Sequence, residues 1–152
     1  MPDRPRLHKQ ETVYSCGPAC LRMVLEAFGL SKTEGELREL TNCTLEGTTP
    51  DGIVTAARVL GFAATRVYTP TFEELSQQIA VGLYPIVSMY SRLEPGLPPD
   101  WHCVVSAGVS ERRVELLDPW RGECSISIEE FLRDWIRPTS DPPSGLTILV
   151  QA

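Results

Sequence analysis

The sequence predicts an α+β domain, with an N-terminal helical part packed face to face on a C-terminal antiparallel β-sheet. Three observations lead there. Up to Ile79, apolar residues recur at helical spacing between recognisable start and stop signals. From Tyr84 onward they fall instead into short strand-like runs bounded by turn residues. Those runs follow one another through short turns, the condition for antiparallel pairing. A chain of 152 residues with 42% apolar content can close one core, so residues 1–152 are read as a single domain.

The first helix follows Cys16 in GPACLRMVLEAFG, where Leu21, Val24, Leu25 and Phe28 share one face. Pro18 falls where a first-turn proline is tolerated, and Gly29 supplies a left-handed stop. Ser31 and Glu34 form a capping-box pattern ahead of a short helix carrying Leu37 and Leu40. Thr49-Pro50 opens a third, with Ile53, Ala57 and Leu60 inward and Gly61 as stop. Thr71 and Glu74 make a second capping box before Leu75 and Ile79. Strands are predicted at Tyr84–Met89, Cys103–Val109, Val114–Leu117, Cys124–Ile128 and Leu146–Val150. Ser127 with Glu130 starts one more helix, ending near Trp135. The proline-rich stretches Glu94–Pro99 and Pro138–Pro143 are read as surface loops.

Charge and composition narrow the function. The formal net charge is −6, and no cluster of Lys and Arg supplies the basic stripe of a nucleic-acid binder. The longest apolar run, Ile79–Tyr90, is broken by Gly82 and Pro85 and falls short of the roughly 20 residues of a membrane helix. The first ten residues, MPDRPRLHKQ, lack the apolar core of a secretory signal. A cytoplasmic location is therefore expected, with the five cysteines mostly reduced.

One of those cysteines sits where a nucleophile would. Cys16, in SCGPAC, lies at a helix start, whose free N–H groups and partial positive charge favour thiolate over thiol. Gly17 beside it would let a substrate approach the backbone closely. Of the two histidines, His8 belongs to a charged N-terminal segment and is read as solvated. His102 begins the strand HCVVSAGV, after the loop ending Pro98-Pro99-Asp100-Trp101, and is the candidate base. If the hairpin around Ser110–Arg112 pairs Val109 with Arg113, Asp118 falls opposite Val104, diagonally beside His102 on the same face. Asp118-Pro119 is otherwise an ordinary turn starter. Gln10, six residues before Cys16, could donate its amide to an oxyanion together with the Cys16 N–H. Gln, Cys, His and Asp in that order define a thiol acyl-transfer site.

Gln10 with SCGPACLRMVLEAFG, LGF at Leu60–Phe62, WHCVV and ELLDPWRGE together resemble the bacteriocin-processing cysteine peptidases. These are papain-like domains that remove double-glycine leader peptides. The likeness runs from about Gln10 to Trp135, and the Gln-to-Cys and His-to-Asp spacings carry most of it. It implies Cys16 as nucleophile, His102 as base and acid, Asp118 as its orienter and Gln10 as oxyanion donor. A peptide or protein substrate follows, with a transporter or a precursor peptide as the kind of partner. The family's usual domain is fused to a transporter, whereas this chain carries no membrane span or ATP-binding motif and reads as a stand-alone member. The string CGPA is also similar to phytochelatin-synthase-like thiol enzymes of the same fold.

Three readings stay open on the residues alone: a peptidase, a thiol acyltransferase or amidase with the same triad, and a non-catalytic peptide-binding module. Zinc held by Cys16, Cys20, His102 and another cysteine lacks a second pair at ligand spacing, so neither metal nor cofactor is expected. Cys103 should face away from the site, and core packing is the reading for Cys103 and Cys20. The loop Ser91–Trp101 carries Leu93, Leu97 and Trp101 as a wall over a peptide groove, with Trp101 narrowing the passage.

Overall fold

The computed structural model describes residues 3–136 and 144–152. Helix α1 (Cys16–Ala27) buries Leu21, Val24 and Leu25 as its spacing requires, and Gly29 beyond its end takes φ +93°. Helix α2 (Glu34–Leu40) starts two residues later than the Ser31 cap would have it. Thr33 caps the Glu36 N–H and Glu36 returns the bond, because the Glu34 carboxylate is committed elsewhere, to Ser15 and Arg38. Leu37 is fully buried, while Leu40 is exposed. Helix α3 (Pro50–Val59) is capped by Thr49 and α4 (Phe72–Ala80) by the Thr71/Glu74 box.

A six-stranded sheet follows, in the order β1-β6-β2-β3-β4-β5, and every neighbouring pair is antiparallel. Its strands are β1 (Arg66–Tyr68), β2 (Ile86–Ser91), β3 (Asp100–Val109), β4 (Arg113–Asp118), β5 (Gly122–Ser127) and β6 (Thr147–Leu149). Strand β1 is absent from the sequence reading: three residues of edge strand give no usable alternation. Helix α5 (Ile128–Trp135) lies between β5 and β6, capped by Ser127. The Glu94–Pro99 stretch does fall in the connection between β2 and β3, whereas the Pro138–Pro143 stretch lies outside the described residues.

The helices are not gathered on one side. Helices α1 and α3 pack with Ile86, Val105, Leu117 and Ile148 on one face of the sheet. Leu75 and Ile79 of α4 join Phe131 and Trp135 of α5 on the other, against Val87, Met89, Val104 and Leu116. A sheet apolar on both faces needs cover on both. The fold therefore has three layers, and α4 leaves the helical half to which its sequence position assigned it.

The hairpin of β3 and β4 decides where the site forms. Next to its turn Val109 pairs with Val114, not with Arg113. A bulge between Ser106 and Gly108 then absorbs one residue, so that Val105 pairs with Leu117. Continuing that register sets Asp118 opposite Val104. Two departures from the predicted register cancel, and the end of β4 arrives where the diagonal argument needed it. Gly108 permits the bulge: a Cβ there would lie 2.6 Å from the Glu115 carboxylate.

Candidate active site

Cys16 occupies the first turn of α1, and the residue before it is unusual as a cap. Ser15 is fully buried and makes no side-chain bond to the helix N–H groups. Its hydroxyl instead accepts from the Thr12 hydroxyl (2.7 Å) and backbone N–H (3.2 Å) and donates to Glu34 (3.2 Å). The N-terminal N–H groups of α1 thus keep no serine cap, and their partial positive charge stays available to an anion at Cys16. Glu34, itself buried, also accepts the Glu11 N–H at 2.9 Å and pairs with Arg38 at 3.2 Å. This carboxylate ties the loop preceding Cys16 to α2. Sequence reasoning assigned Glu34 only to a cap; its tertiary partners leave no local signal.

His102 is the third residue of β3 rather than its first, since the strand begins at Asp100. It is buried, and its Nε2 lies 2.6 Å from Asp118 Oδ1, so Nδ1 is the ring nitrogen left for another partner. Asp118 Oδ1 also accepts the N–H groups of Trp120 (2.8 Å) and Arg121 (3.1 Å), and Arg121 Nη1 stands 3.7 Å from Oδ2. Asp118 therefore starts the turn and holds the imidazole at once. Burial works against its charge, yet the hydrogen bond and charge of His102 and the two N–H groups hold its pKa below the usual carboxylate value. Burial likewise works against charge on His102. Hydrogen bonds and charge from Asp118 and Cys16 outweigh it and push the pKa up to about 9.

Cys103 departs most from expectation. Strand alternation does turn it to the face of Val105 and Ala107, but that is the face on which α1 lies. Its thiol therefore borders the cleft with Cys16. Interaction with Cys103 is the strongest influence on Cys16; the hydrogen bond and charge of His102 reinforce it, and together they overcome burial to hold Cys16 well below an ordinary thiol pKa. Cys103 is pushed up in return, first by Cys16 and then by burial, and remains the protonated partner. Cys20, fully buried one turn along α1, is raised by burial and packs in the core as expected.

The cleft beside Cys16 encloses about 410 Å³. One wall is Val13 and Tyr14, another is Leu45 to Thr48, and a third is Leu93, Trp101 and His102. Val13 is 75% and Leu45 82% exposed, so the rim presents apolar side chains to solvent. The Leu45 wall is a tight turn closed by reciprocal Thr44 and Gly47 backbone bonds of 3.0 and 2.9 Å, with Gly47 at φ +105°. Nothing in the sequence pattern singled it out. Trp101 lines the cleft as expected and packs on Tyr90 with ring centroids 5.1 Å apart. Leu97 stays exposed away from the cleft, a correction to the predicted wall.

The remaining candidates fall outside the cleft lining. Gln10 bonds through its backbone N–H to the Pro119 carbonyl (2.8 Å), beside Asp118, and its side-chain amide donates to the Thr12 carbonyl (2.8 Å). Its Oε1 is buried without a hydrogen-bond partner among the described residues. Gly17 is buried, and a Cβ there would lie 3.0 Å from Ile53 and 3.3 Å from Thr48. Its smallness thus serves the approach of α3 and the Thr48 loop, whereas backbone access for substrate was expected. His8 is paired rather than solvated, 2.9 Å from the Glu26 carboxylate.

A half-buried thiol at an uncapped helix start, an imidazole on the same cleft and a buried carboxylate behind are the residue types that thiol acyl transfer requires, here on a helix-covered antiparallel sheet. The model of the Peptidase C39 family matches residues 5–139, and the chain belongs to that family and is a cysteine peptidase. It is 32% identical over 124 residues to an uncharacterized protein of Methanothermobacter thermautotrophicus, covering 82% of this chain and 78% of that one. It is 31% identical over 129 residues to the lactococcin-G-processing and transport ATP-binding protein LagD of Lactococcus lactis subsp. lactis. That match covers 83% of this chain and 17% of LagD, so the chain spans a small part of the transporter's length. Among solved structures, the peptidase domain of Streptococcus ComA, a bifunctional ABC transporter of a quorum-sensing pathway, superposes with a TM-score of 0.72. The two share 27% identity over 97% of this chain and 98% of that one. Among the described residues no helix is long and apolar enough to cross a membrane.

Proposed function

We propose that this cysteine peptidase works through Cys16 as nucleophile, His102 as base and acid, Asp118 as orienter and Gln10 as oxyanion donor, cutting a precursor peptide after a Gly-Gly-type leader motif. The observation that carries the reading is the 2.6 Å bond from His102 Nε2 to Asp118, with His102 and Cys16 lining one cleft. A thiolate beside an imidazolium attacks the scissile carbonyl. The tetrahedral oxyanion is met by the Cys16 N–H and by the Gln10 amide, whose Nε2 keeps a second N–H beyond the one given to Thr12. His102 then protonates the leaving amine and takes a proton from water as the acyl-enzyme hydrolyses, so that sulfur departs as thiolate and the ion pair is restored. Asp118 keeps the ring oriented throughout.

A peptide substrate is supported by the cleft, whose exposed Val13 and Leu45 offer apolar grip while Trp101 narrows the way to Cys16. Glycines before the cut pass under such a wall because they carry no side chain. The processing role in LagD's name supports the leader substrate that the sequence resemblance implies, and a transporter or precursor peptide is the corresponding partner, with the cytoplasm as the place of action. Incubating the protein with synthetic precursors bearing Gly-Gly, Ala-Ala or no such motif, and weighing the products, tests it. Wild type should release the fragment following Gly-Gly and Cys16→Ala should release none. Equal cleavage of all three precursors, or turnover by Cys16→Ala, would contradict it.

A further inference from the structure

A thiolate open to solvent is what oxidants attack, and this one has a second thiol for company. Cys16 and Cys103 border the same cleft, both are free, and neither is fully buried. They come from different elements, α1 and β3, which pack on each other, and both thiols face the cleft between them. Cys20, the next thiol along α1, has no exposed surface, so diffusing reagents reach the other two first. Across the sheet, Ser88 stands opposite Cys103 in register and also lines the cleft.

We propose that Cys103 is a resolving thiol for Cys16, making the cleft a site of reversible oxidation by hydroperoxides. The Cys16 thiolate attacks the terminal peroxide oxygen and the O–O bond breaks. Hydroxide or alkoxide leaves, the His102 imidazolium protonates it to water or an alcohol, and Cys16 is left as sulfenic acid. The Cys103 sulfur then attacks Cys16 sulfur; the S–O bond breaks, water leaves, and a Cys16–Cys103 disulfide forms. Two electrons have passed from the thiols to the peroxide, and a dithiol reductant returns them by exchange. The hydrogen bond with Cys16 is the first influence holding Cys103 protonated, burial the second and the Cys16 charge the third; sulfenic acid is neutral. Oxidation of the first thiol therefore removes its charge from beside the second, and His102, having given its proton to the departing oxygen, takes the one from Cys103. While the bridge lasts the nucleophile is consumed, and it is spared irreversible sulfinic and sulfonic acids.

The inference rests on the reactive Cys16 of the proposed function, but its readout is mass, which needs no substrate. The full chain is treated with hydrogen peroxide, blocked with iodoacetamide, digested without reductant and sequenced by mass spectrometry. Wild type should lose about 2 Da and yield a Cys16–Cys103 cross-link that dithiothreitol reverses. Cys103→Ser should instead gain about 32 and 48 Da at Cys16, irreversibly. Cys103→Ala gives the same test should the serine variant fold poorly. A link to Cys20, or wild-type over-oxidation as fast as in the Cys103 variants, would overturn the proposal. Loss of the peptidase reading shows separately, as an untreated chain that cleaves nothing.

Discussion

At Asp118 two interpretations of one residue merge. As a turn starter it accepts the Trp120 and Arg121 N–H groups, and the same oxygen holds His102 Nε2 at 2.6 Å. Because the His102 pKa is raised to about 9, the imidazolium persists through neutral pH and is lost only as pH climbs through that value. The kcat/KM profile should accordingly fall on an alkaline limb near pH 9, and Asp118→Asn should move that limb to lower pH. A limb unmoved in the variant would deny Asp118 its influence on His102. Gln10→Ala is expected to lower kcat by about 10²–10³ with KM nearly constant, as for a lost oxyanion donor. A pure KM effect would make Gln10 a positioning residue of the Thr12 loop. Cys16, His102 and Asp118 were all legible as residue types at telling places: a helix start, a strand near a loop and a strand end. Cys103 was not, because alternation predicts which face a side chain takes but not which helix covers that face.

Elements were legible where local chemistry decides them. Thr49, Thr71 and Ser127 cap the helices they were expected to cap, since the cap bond is made within four residues. The Ser31 cap gave way to Thr33 because a tertiary demand, the burial of Glu34 against Ser15 and Glu11, competes with an equally good local pattern. The β3–β4 register carried a hidden bulge, which the Gly108 position explains once Glu115 is known to sit across from it. Close contacts between elements are equally silent in sequence. A Cβ on Gly52 would stand 2.4 Å from the Thr41 backbone oxygen, so α3 meets the end of α2 only through a glycine. Gly52→Ala, although it raises helix propensity, should therefore destabilise by about 1–3 kcal/mol. Denaturant unfolding measures this; a neutral or stabilising alanine would show that the α2–α3 contact relaxes freely.

For the molecule as a whole, the sheet separates two packing faces with different tasks. The α1/α3 face carries Cys16 and Cys103, while the α4/α5 face is anchored by Phe131 and Trp135, both fully buried. Trp135 also donates its indole N–H to Thr147 at 3.1 Å, tying α5 to β6. Trp135→Ala should cost about 3–5 kcal/mol in chemical unfolding, and a loss below about 1 kcal/mol would place the stabilising core on the other face. The antiparallel sheet was foreseeable from closely spaced strand runs. That it would be covered on both sides was not, because a run apolar on both faces has no period to betray it.

The surroundings of Cys16, His102 among them, favour the thiolate. The most direct test follows the rate of Cys16 carboxamidomethylation by iodoacetamide across pH, located by mass spectrometry, in wild type and His102→Ala. Wild type should react as a thiolate well below the ordinary thiol range, and His102→Ala should require distinctly higher pH. Identical titration of the two proteins, with Cys16 behaving as an ordinary thiol in both, would contradict the account.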